Sequence, residues 1–412
     1  TQRNKIYMML LKIAWRNLWR NKRRSFVALG SIIVGIIALM LNDGIGNGFQ
    51  TQMLNNQIDS HIGHLQVSKA GFKDNKTVQS FIPDKDKVIN LIQKKMNHSS
   101  HSQRVIVSGL VSSPSTSSAI MLTGIDNSEE KKVSTIHQSI LSGKFISDNP
   151  LDILLSKKLA EKLEVEIGDK VIGIASDLKG EVSNQLFRVC GIFSTGDAAF
   201  DNTTAFVNIA VLQEMLGYGN RISEIVIKLP NTDSVNIYRS FLSNNLGSDY
   251  DVKTYAELLP LIMSYIETYK SSILIIYAII GLAVIFGIIN TMLMSIFERI
   301  QEFGVLMSIG MKRSKIFFMV VNEALLLGIF GSVIGMCTGY LICLPLIING
   351  IDLSVFSESL SSFGMKSIVY LELNLRMMLN IFITMPITAV LGAIYPAIKA
   401  VKLNPTDAVR YV

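Results

Sequence analysis

Four long runs without a charged side chain interrupt this chain. They cover residues 25–42, 271–297, 324–351 and 377–398. A helix of about 20 apolar residues crosses the hydrocarbon layer of a membrane, and the first run extends past Asp43 toward Phe49. The pattern predicts four transmembrane helices, at residues 25–48, 269–297, 314–348 and 376–398.

Between the first two runs, the apolar residues follow the periods of strands and helices. The segment GHLQVSK (63–69) alternates as a strand does. In PDKDKVINLIQKKM (83–96), Val88, Leu91 and Ile92 fall on one helical face. Similar patterns continue along the segment and predict an α+β domain at 49–268. Two βαβ-like portions, roughly 50–105 and 206–265, flank a β-rich insert at about 106–205.

A second polar segment, 349–375, separates the third and fourth apolar runs. Its SIVYLEL stretch (367–373) is typical of one short strand. The predicted fold is thus an α-helical membrane protein of four transmembrane helices. Its large α+β domain is inserted between helices 1 and 2.

Charge is segregated between the two kinds of polar segment. Residues 1–24, 298–315 and 399–412 together carry 15 basic and 3 acidic residues, whereas 43–270 carries 22 basic and 25 acidic ones. Basic residues favour the cytoplasmic side of a membrane. We therefore expect both termini in the cytoplasm and the domain at 49–268, with the loop at 349–375, in the periplasm. The net charge of +7 then reflects topology, not nucleic-acid binding.

The lead at 1–24 combines Trp15 and Trp19 with several arginines and lysines. This pattern is typical of an amphipathic segment that contacts anionic membrane lipids. A cleaved signal peptide is the alternative. No small-x-small cleavage site follows the first apolar run, which favours a retained anchor. The three cysteines, one of them at 49–268, do not form a disulfide framework.

The segment 298–313 carries a short amphipathic pattern. Ile296, Ile300, Phe303 and Met307 recur at helical spacing, and Glu298 lies on another face. The pattern predicts a cytoplasmic helix that Gly310 ends, with Ser314 as N-cap of the next helix. Such a helix can anchor to the membrane surface or dock a protein. Its acidic polar face favours docking.

Several motifs together resemble the FtsX-like ABC transporter permeases, the group of MacB and of the LolC and LolE lipoprotein-release subunits. They are LKIAWRNLWRNKRRS (11–25), NTMLMSIFERIQEFGVLMSIGMKRSKI (290–316), NEALLLGIFGSVIG (322–335) and YPAIKAVKLNPTDAVRYV (395–412). The resemblance implies a bacterial inner-membrane complex of two permeases, identical or paralogous, with two copies of an ABC ATP-binding subunit. It also makes 298–313 the coupling helix, whose ATPase-coupling residues would be Glu298, Arg299, Glu302, Phe303, Gly304, Leu306 and Gly310.

The chain has no G-x-x-x-x-G-K-[ST] phosphate loop and no recognisable catalytic or metal-site pattern. We therefore expect a non-catalytic permease without a cofactor of its own. ATP and Mg²⁺ would bind the partner subunit.

Three further features have two interpretations each. Glu323, an acid inside the third predicted span, suits a proton relay or, more in keeping with the family, a packing or capping role. The G-x-x-x-G spacings suit close helix packing or flexibility, and packing is favoured at Gly331, Gly335 and Gly339. The H-x-x-H pairs His61/His64 and His98/His101 could bind a metal, although solvated histidines are favoured.

The family also suggests the cargo. The leading hypothesis is extraction of acylated lipoproteins, handed to a periplasmic carrier or adaptor. The resemblance places a lateral gate between helix 1 of one permease and helix 2 of its neighbour, at Val34, Ile37, Leu41, Ile275, Ile279 and Leu282. MacB-like tripartite efflux of a peptide or drug, and FtsX-like regulation of a cell-wall hydrolase, are the alternatives.

Overall fold

A computed structural model describes residues 22–402 except 97, 148, 362, 363 and 366, and the side chains of residues 22 and 24 are not described. Most of the predicted lead (1–24) and tail (399–412) lies outside these residues. The chain divides into two compact units. One, the membrane unit, contains the long apolar helices. The other, the α/β unit, comprises Thr51–Tyr265 and Leu353–Ser367.

The helices and strands are numbered in chain order across both units. The helices are α1 (Lys22–Gln57), α2 (Lys85–Lys95), α3 (Asn127–Val133), α4 (Lys157–Leu163), α5 (Ala198–Asp201), α6 (Ile209–Met215), α7 (Val235–Leu246), α8 (Tyr255–Leu258), α9 (Pro260–Glu298), α10 (Ile300–Ser308), α11 (Arg313–Asn349), α12 (Ser357–Ser361) and α13 (Leu375–Val401). The strands are β1 (Leu65–Lys69), β2 (Ser100–Ser112), β3 (Ser117–Ile125), β4 (Ile140–Gly143), β5 (Asp152–Ser156), β6 (Lys170–Ser176), β7 (Val182–Phe193), β8 (Thr204–Asn208), β9 (Glu224–Lys228), β10 (Tyr250–Thr254), β11 (Ile351–Asp352) and β12 (Ile368–Val369). Short 3₁₀ turns cover Ile136–Gln138, Thr232–Ser234 and Ser354–Phe356, and a π turn covers Ile58–Ile62.

Four helices are long and apolar enough to cross a membrane: α1, α9, α11 and α13. All four helices that the sequence predicts are therefore present among the described residues. The predicted N-cap of the third helix is wrong. α11 begins at Arg313, and its N-cap is Lys312, which makes no side-chain capping bond. Ser314 lies inside the first turn.

The first part of the α/β unit is a four-stranded sheet in the order β10-β1-β9-β2. Each neighbouring pair is antiparallel. Helix α2 joins β1 to β2, and these two strands are therefore parallel. Helix α7 joins β9 to β10, which are parallel for the same reason. Asp84 caps α2 by accepting a 3.0 Å hydrogen bond from the backbone of Lys87, and the helix buries Val88 and Ile92.

The second part of this unit is a closed ring of strands. β2 continues beyond β9 to pair with β3 and β6. The pairs β3–β8, β8–β5, β5–β7 and β7–β6 complete a six-stranded ring. Its residues Val111, Leu122, Phe187 and Val207 belong to the main buried cluster of the unit. Sequence reading missed α3, β4, α5 and β8, of which β4 and α5 have only four residues each, too few to show a period.

The second polar segment contains less strand than predicted. Only Ile368 and Val369 of the 367–373 stretch pair, with Asp352 and Ile351. Residues 353–367 belong to the α/β unit, where the Asn56 side-chain amide donates a 3.1 Å hydrogen bond to the Gly364 carbonyl.

Close helix packing in the membrane unit depends on small residues of α11. Gly331, Gly335 and Gly339 are buried, and they contact Ile32, Ile36 and Met40 of α1. Both sets recur every four residues, so one face of each helix forms the contact. A Cβ at Gly331 would lie 2.7 Å from Cγ2 of Ile32, which only a glycine avoids.

Candidate coupling site

The site lies where α9 ends and α10 begins. Arg299 separates the two helices with a non-helical backbone (φ −117°, ψ 19°). Its carbonyl accepts the 3.1 Å hydrogen bond from Phe303 that opens α10. The nine residues of α10 follow, and the chain then turns again and enters α11. The short helix is therefore held between two long apolar ones.

The end of α10 is set by Gly310. Its φ of +92° is in the left-handed region, which glycine adopts most easily. The Gly310 amide donates to the Met307 carbonyl and the Met311 amide to the Leu306 carbonyl, both at 3.0 Å. This pair of bonds is the Schellman arrangement, which satisfies the last carbonyls of a helix.

One face of α10 packs into the membrane unit. Phe303 is 1% exposed and shares a buried cluster with Ile296 of α9 and Ile316 of α11. The same cluster includes Ala397 and Ala400 of α13. α10 is thus packed against elements from three of the four apolar helices, so a displacement of α10 is resisted by all three.

Arg299 is buried beside this face and binds two carboxylates. Its Nη1 donates to Oε2 of Glu323 at 3.3 Å, and its Nε donates to Oε2 of Glu302 at 2.9 Å. The guanidinium also lies 5.3 Å from the ring centre of Phe303. An ionisable group inside a membrane helix needs such a partner. Glu323 of α11 is therefore tied to the α9–α10 junction.

The predicted coupling residues differ in accessibility. Glu298 and Gly310 are exposed, and Glu302 and Leu306 are half-buried. Arg299, Phe303 and Gly304 are buried within the chain. A shallow, largely apolar cavity of about 470 Å³ lies beside α10, between Glu302, Val305 and Met319. A partner would therefore meet the acidic residues and this cavity, not the ring of Phe303.

The residues assigned to a lateral gate are mostly on the surface of the membrane unit. Val34, Ile275, Ile279 and Leu282 are exposed, whereas Ile37 and Leu41 are half-buried. Leu41 packs against the buried cluster of the bundle, whereas the four exposed residues lie on its surface.

The solvated interpretation of the first histidine pair is wrong. His64 is 7% exposed, and its Nδ1 accepts a hydrogen bond from the Leu229 amide at 3.2 Å. The His61 ring stacks on Phe200 with 3.8 Å between ring centres. His98 is exposed and His101 half-buried. No group of three or more His, Cys, Asp or Glu side chains suited to a metal occurs among the described residues.

Sequence reasoning missed the Arg299–Glu323 pair. A usable signal existed, because a lone acid in an apolar span should seek the nearest base. It also missed a charge cluster in the α/β unit, where Arg104 bonds Glu130 at 2.6 Å. Arg104 and Glu224 are direct partners between β2 and β9. Each precedes an apolar strand run, but only the strand register brings them together.

Two family models match the chain. Residues 25–240, more than half of it, match the MacB-like periplasmic core domain. Residues 274–405 match the C-terminal part of FtsX-like permeases.

Some relatives align with nearly the whole chain. The lipoprotein-releasing system transmembrane protein LolC of Xylella fastidiosa (strain Temecula1) is 25% identical over 71% of this chain and 73% of its own length. LolC of Neisseria meningitidis serogroup B is 22% identical over 97% of this chain and 98% of its own. The pyoverdine export ATP-binding/permease protein PvdT of Pseudomonas fluorescens is 22% identical over 97% of this chain and 58% of its own length.

The two domain matches follow one another along the chain in the order that the structure shows, a sheet-containing unit after the first apolar helix and then the three remaining apolar helices. The chain belongs to the MacB-type, FtsX-like family of ABC transporter permeases.

Proposed function

We propose that this permease transmits the motion of a separate ATP-binding subunit to its periplasmic unit, and so extracts lipoproteins from the inner membrane. Two permeases, identical or paralogous, would assemble with two ATP-binding subunits, which hold the ATP and Mg²⁺. In this arrangement both termini and α10 face the cytoplasm. A periplasmic carrier or adaptor would receive the cargo.

The geometry of α10 is the observation that carries the proposal. The helix buries one face against three apolar helices, and Glu298, the last residue of α9, is exposed just before it begins. Its two ends are fixed, by the Arg299 cluster and by the Gly310 turn. A short helix fixed in this way moves as one body with the helices it contacts. It is therefore suited to pass a displacement from a docked protein into the membrane unit.

The LolC relatives favour a lipoprotein as cargo. Two of them align over most of their own length with this chain, and their name describes lipoprotein release. The outward-facing apolar residues Val34, Ile275 and Ile279 could contact acyl chains that enter from the membrane.

A release assay tests the proposal. The full chain, purified with its ATP-binding subunit, is placed in liposomes that contain a lipoprotein, together with a soluble acceptor. We expect lipoprotein to appear in the soluble fraction with ATP, and not with a non-hydrolysable analogue. If no ATP-binding subunit copurifies, the proposed partner is wrong. If ATP releases no lipoprotein from an active complex, the proposed cargo is wrong.

The role of α10 is tested by charge reversal at Glu298. Glu298→Lys should lower the stimulation of ATP hydrolysis by the permease about tenfold, because an interfacial charge pair is replaced by repulsion. The matched control is Glu166→Lys, the same change at an exposed position of the α/β unit. Membrane insertion should be normal in both. Full coupling in Glu298→Lys would contradict docking at this end of α10.

Efflux is a second candidate, because the PvdT relative aligns with 97% of this chain. That protein is named for the export of pyoverdine. The same assay distinguishes the two functions. If the protein is an exporter, a soluble substrate would stimulate ATP hydrolysis by the complex, and the lipoprotein would remain in the liposome.

A further inference from the structure

A cavity of about 740 Å³ lies inside the α/β unit. The end of α1, strands β2 and β3, helix α5 and the start of α9 contribute its wall. Most of the wall is apolar, from Met53, Ile62, Ile106, Met121, Phe200 and Leu261. The volume is in the range of small-molecule sites, about 300–1,000 Å³.

Most charged groups of the wall have partners within the unit. Glu224 is paired with Lys73 and lies 3.6 Å from Arg104. Asp197 accepts a 2.6 Å hydrogen bond from the Gln57 amide and also caps α5. Glu257 bonds Arg239 at 2.7 Å. These groups need no ligand.

Two further wall residues are satisfied in other ways. Lys253 lies 3.3 Å from Asp251. Asp74 is exposed, so water can solvate its carboxylate. Neither of them calls for a charge supplied from within the cavity.

Lys76 differs from the other cations of the wall. Its side chain is half-buried, and its Nζ contacts the sulfur of Met121 at 3.6 Å. A thioether is a weak acceptor, whereas an ammonium has three protons to donate. In the described part of the chain, no carboxylate oxygen lies within 4.0 Å of this nitrogen. Burial lowers the pKa of Lys76, although Glu224 acts in the opposite direction.

His61 adds no second charge at neutral pH. Burial lowers the pKa of this ring to about 4, with Asp197 opposing the shift. The ring stacks on Phe200 and its Nδ1 lies 2.8 Å from the hydroxyl of Ser60. The unpaired positive charge of the wall is therefore confined to Lys76.

We propose that this cavity binds a long-chain amphiphile with an anionic head group, its head on Lys76 and its chain along the apolar wall. The carboxylate of a fatty acid and the phosphate of a lysophospholipid have the required chemistry. The bound chain would contact Met53 of α1 and Leu261 of α9, which both line the cavity. Occupancy would thus fix these two helix ends within the α/β unit.

The test is site-resolved photolabelling of the full chain in nanodiscs of zwitterionic phosphatidylcholine, without ATP or the ATP-binding subunit. The probes are palmitic acid, a lysophosphatidic acid and hexadecanol, each with a diazirine near the end of the chain. Mass spectrometry measures labelling of the peptides that contain Met121 and Phe200. We expect about tenfold more labelling by an anionic probe than by hexadecanol, since a hydrogen bond between charged groups contributes more than one to a neutral group.

Variants at Lys76 test the role of the ammonium. Lys76→Met should reduce labelling by the anionic probe about tenfold, and Lys76→Arg should retain it. The control is Lys179→Met, which removes an exposed lysine from the β6–β7 turn. On the unaltered protein, unlabelled palmitate should compete with the probe and unlabelled hexadecanol should not.

The outcomes separate the alternatives. Preference for the carboxylate or for the phosphate probe identifies the head group. Equal labelling by hexadecanol, or no labelling of these peptides by either anionic probe, overturns the proposal. Because the measurement needs no ATP, it can fail while transport succeeds, or succeed while transport fails.

Discussion

Arg299 and Arg104 have the same surroundings in the two units: each is a buried arginine with two carboxylate partners. Arg299 binds Glu302 and Glu323, and Arg104 binds Glu130 and lies near Glu224. Burial of an ion pair costs desolvation energy that the pairing offsets only when its geometry is good. Removal of one member of such an ion pair is therefore far more damaging than replacement of both members by apolar residues.

This asymmetry gives a prediction for Glu323. Replacing it by leucine leaves Arg299 buried with one partner and should lower the free energy of unfolding by about 3–5 kcal/mol. The double variant Arg299→Met/Glu323→Leu should recover most of the loss. Thermal unfolding of the full chain in detergent measures both, with Glu298→Gln, an exposed acid at the end of α9, as control. Equal losses in the single and double variants would refute a coupled pair.

The ring of His61 should make the stability of the α/β unit sensitive to acid. Its pKa in the folded state is about 4, against an ordinary value of 6.5, mainly because of burial. The unfolded chain therefore binds a proton that the folded chain does not, and stability falls as the pH is lowered from 6.5 to about 4. Above pH 6.5 this contribution is fully present.

The variant His61→Phe removes the titration and can retain the stacking on Phe200. Unfolding temperatures of both proteins, measured between pH 4 and 7, should show a smaller decrease with acid in the variant. Glu130 and Glu224 remain in both proteins. Their pKa values are held below the usual range, because pairing with Arg104, and for Glu224 with Lys73, outweighs burial. They lose their contribution only at lower pH. Parallel curves for the two proteins would show that His61 does not titrate as described.

At the scale of the element, α11 is the helix on which the membrane unit is assembled. Its glycines contact α1 on one face, while Gly328 contacts Pro386 and Ala389 of α13. Small residues let helix backbones approach closely in a membrane, where burial of apolar surface gives little driving force. The order of small residues along α11 thus decides which helices lie beside it.

Gly331→Leu should disrupt the contact between α11 and α1. The nearest atoms to an added Cβ belong to Ile32, at 2.7 and 3.0 Å, and a β-branched side chain has little freedom to turn away. We expect a loss of about 1–3 kcal/mol, measured by thermal unfolding. The matched control is Gly30→Leu in α1, where a Cβ would meet no described atom within 4 Å outside its own stretch of helix. Equal effects at both positions would contradict this packing.

At the scale of the whole molecule, the four apolar helices are unequally covered. Only 11% of the apolar stretch of α9 is buried, against 50% in α11. Lipid can cover the rest of α9, and so can a second permease. In the two-permease complex proposed above, α1 of one copy would lie beside α9 of the other.

Disulfide crosslinking tests this arrangement. With the three native cysteines replaced, Val34→Cys and Ile279→Cys in one chain should give a product of twice the chain mass on oxidation in membranes. Both positions are exposed in the single chain. The same reaction with Val34→Cys and Ile387→Cys, an exposed position on α13, is the control. If only uncrosslinked chain is recovered from both pairs, these faces of α1 and α9 do not meet.

The sequence by itself determined the membrane helices and the short helix between two of them. Both depend on local properties, the length of uncharged runs and the 3.6-residue period, which do not require knowledge of distant residues. The Gly310 turn is local for the same reason. The motifs of the permease family are also contiguous, which is why the family could be identified before the fold was known.

Tertiary structure decided which distant side chains meet. Arg299 bonds Glu323, which lies 24 positions further along the chain. Arg104 lies opposite Glu224 because of the register between β2 and β9. The closed ring of β-strands depends on pairings such as β2–β6 and β3–β8, and no local period specifies them. Burial of His61, and of Lys76 without a counter-ion, follows from the same long-range contacts. The candidate coupling helix is thus local in origin, whereas the charges that fix it, and the cavity of the α/β unit, exist only in the folded chain.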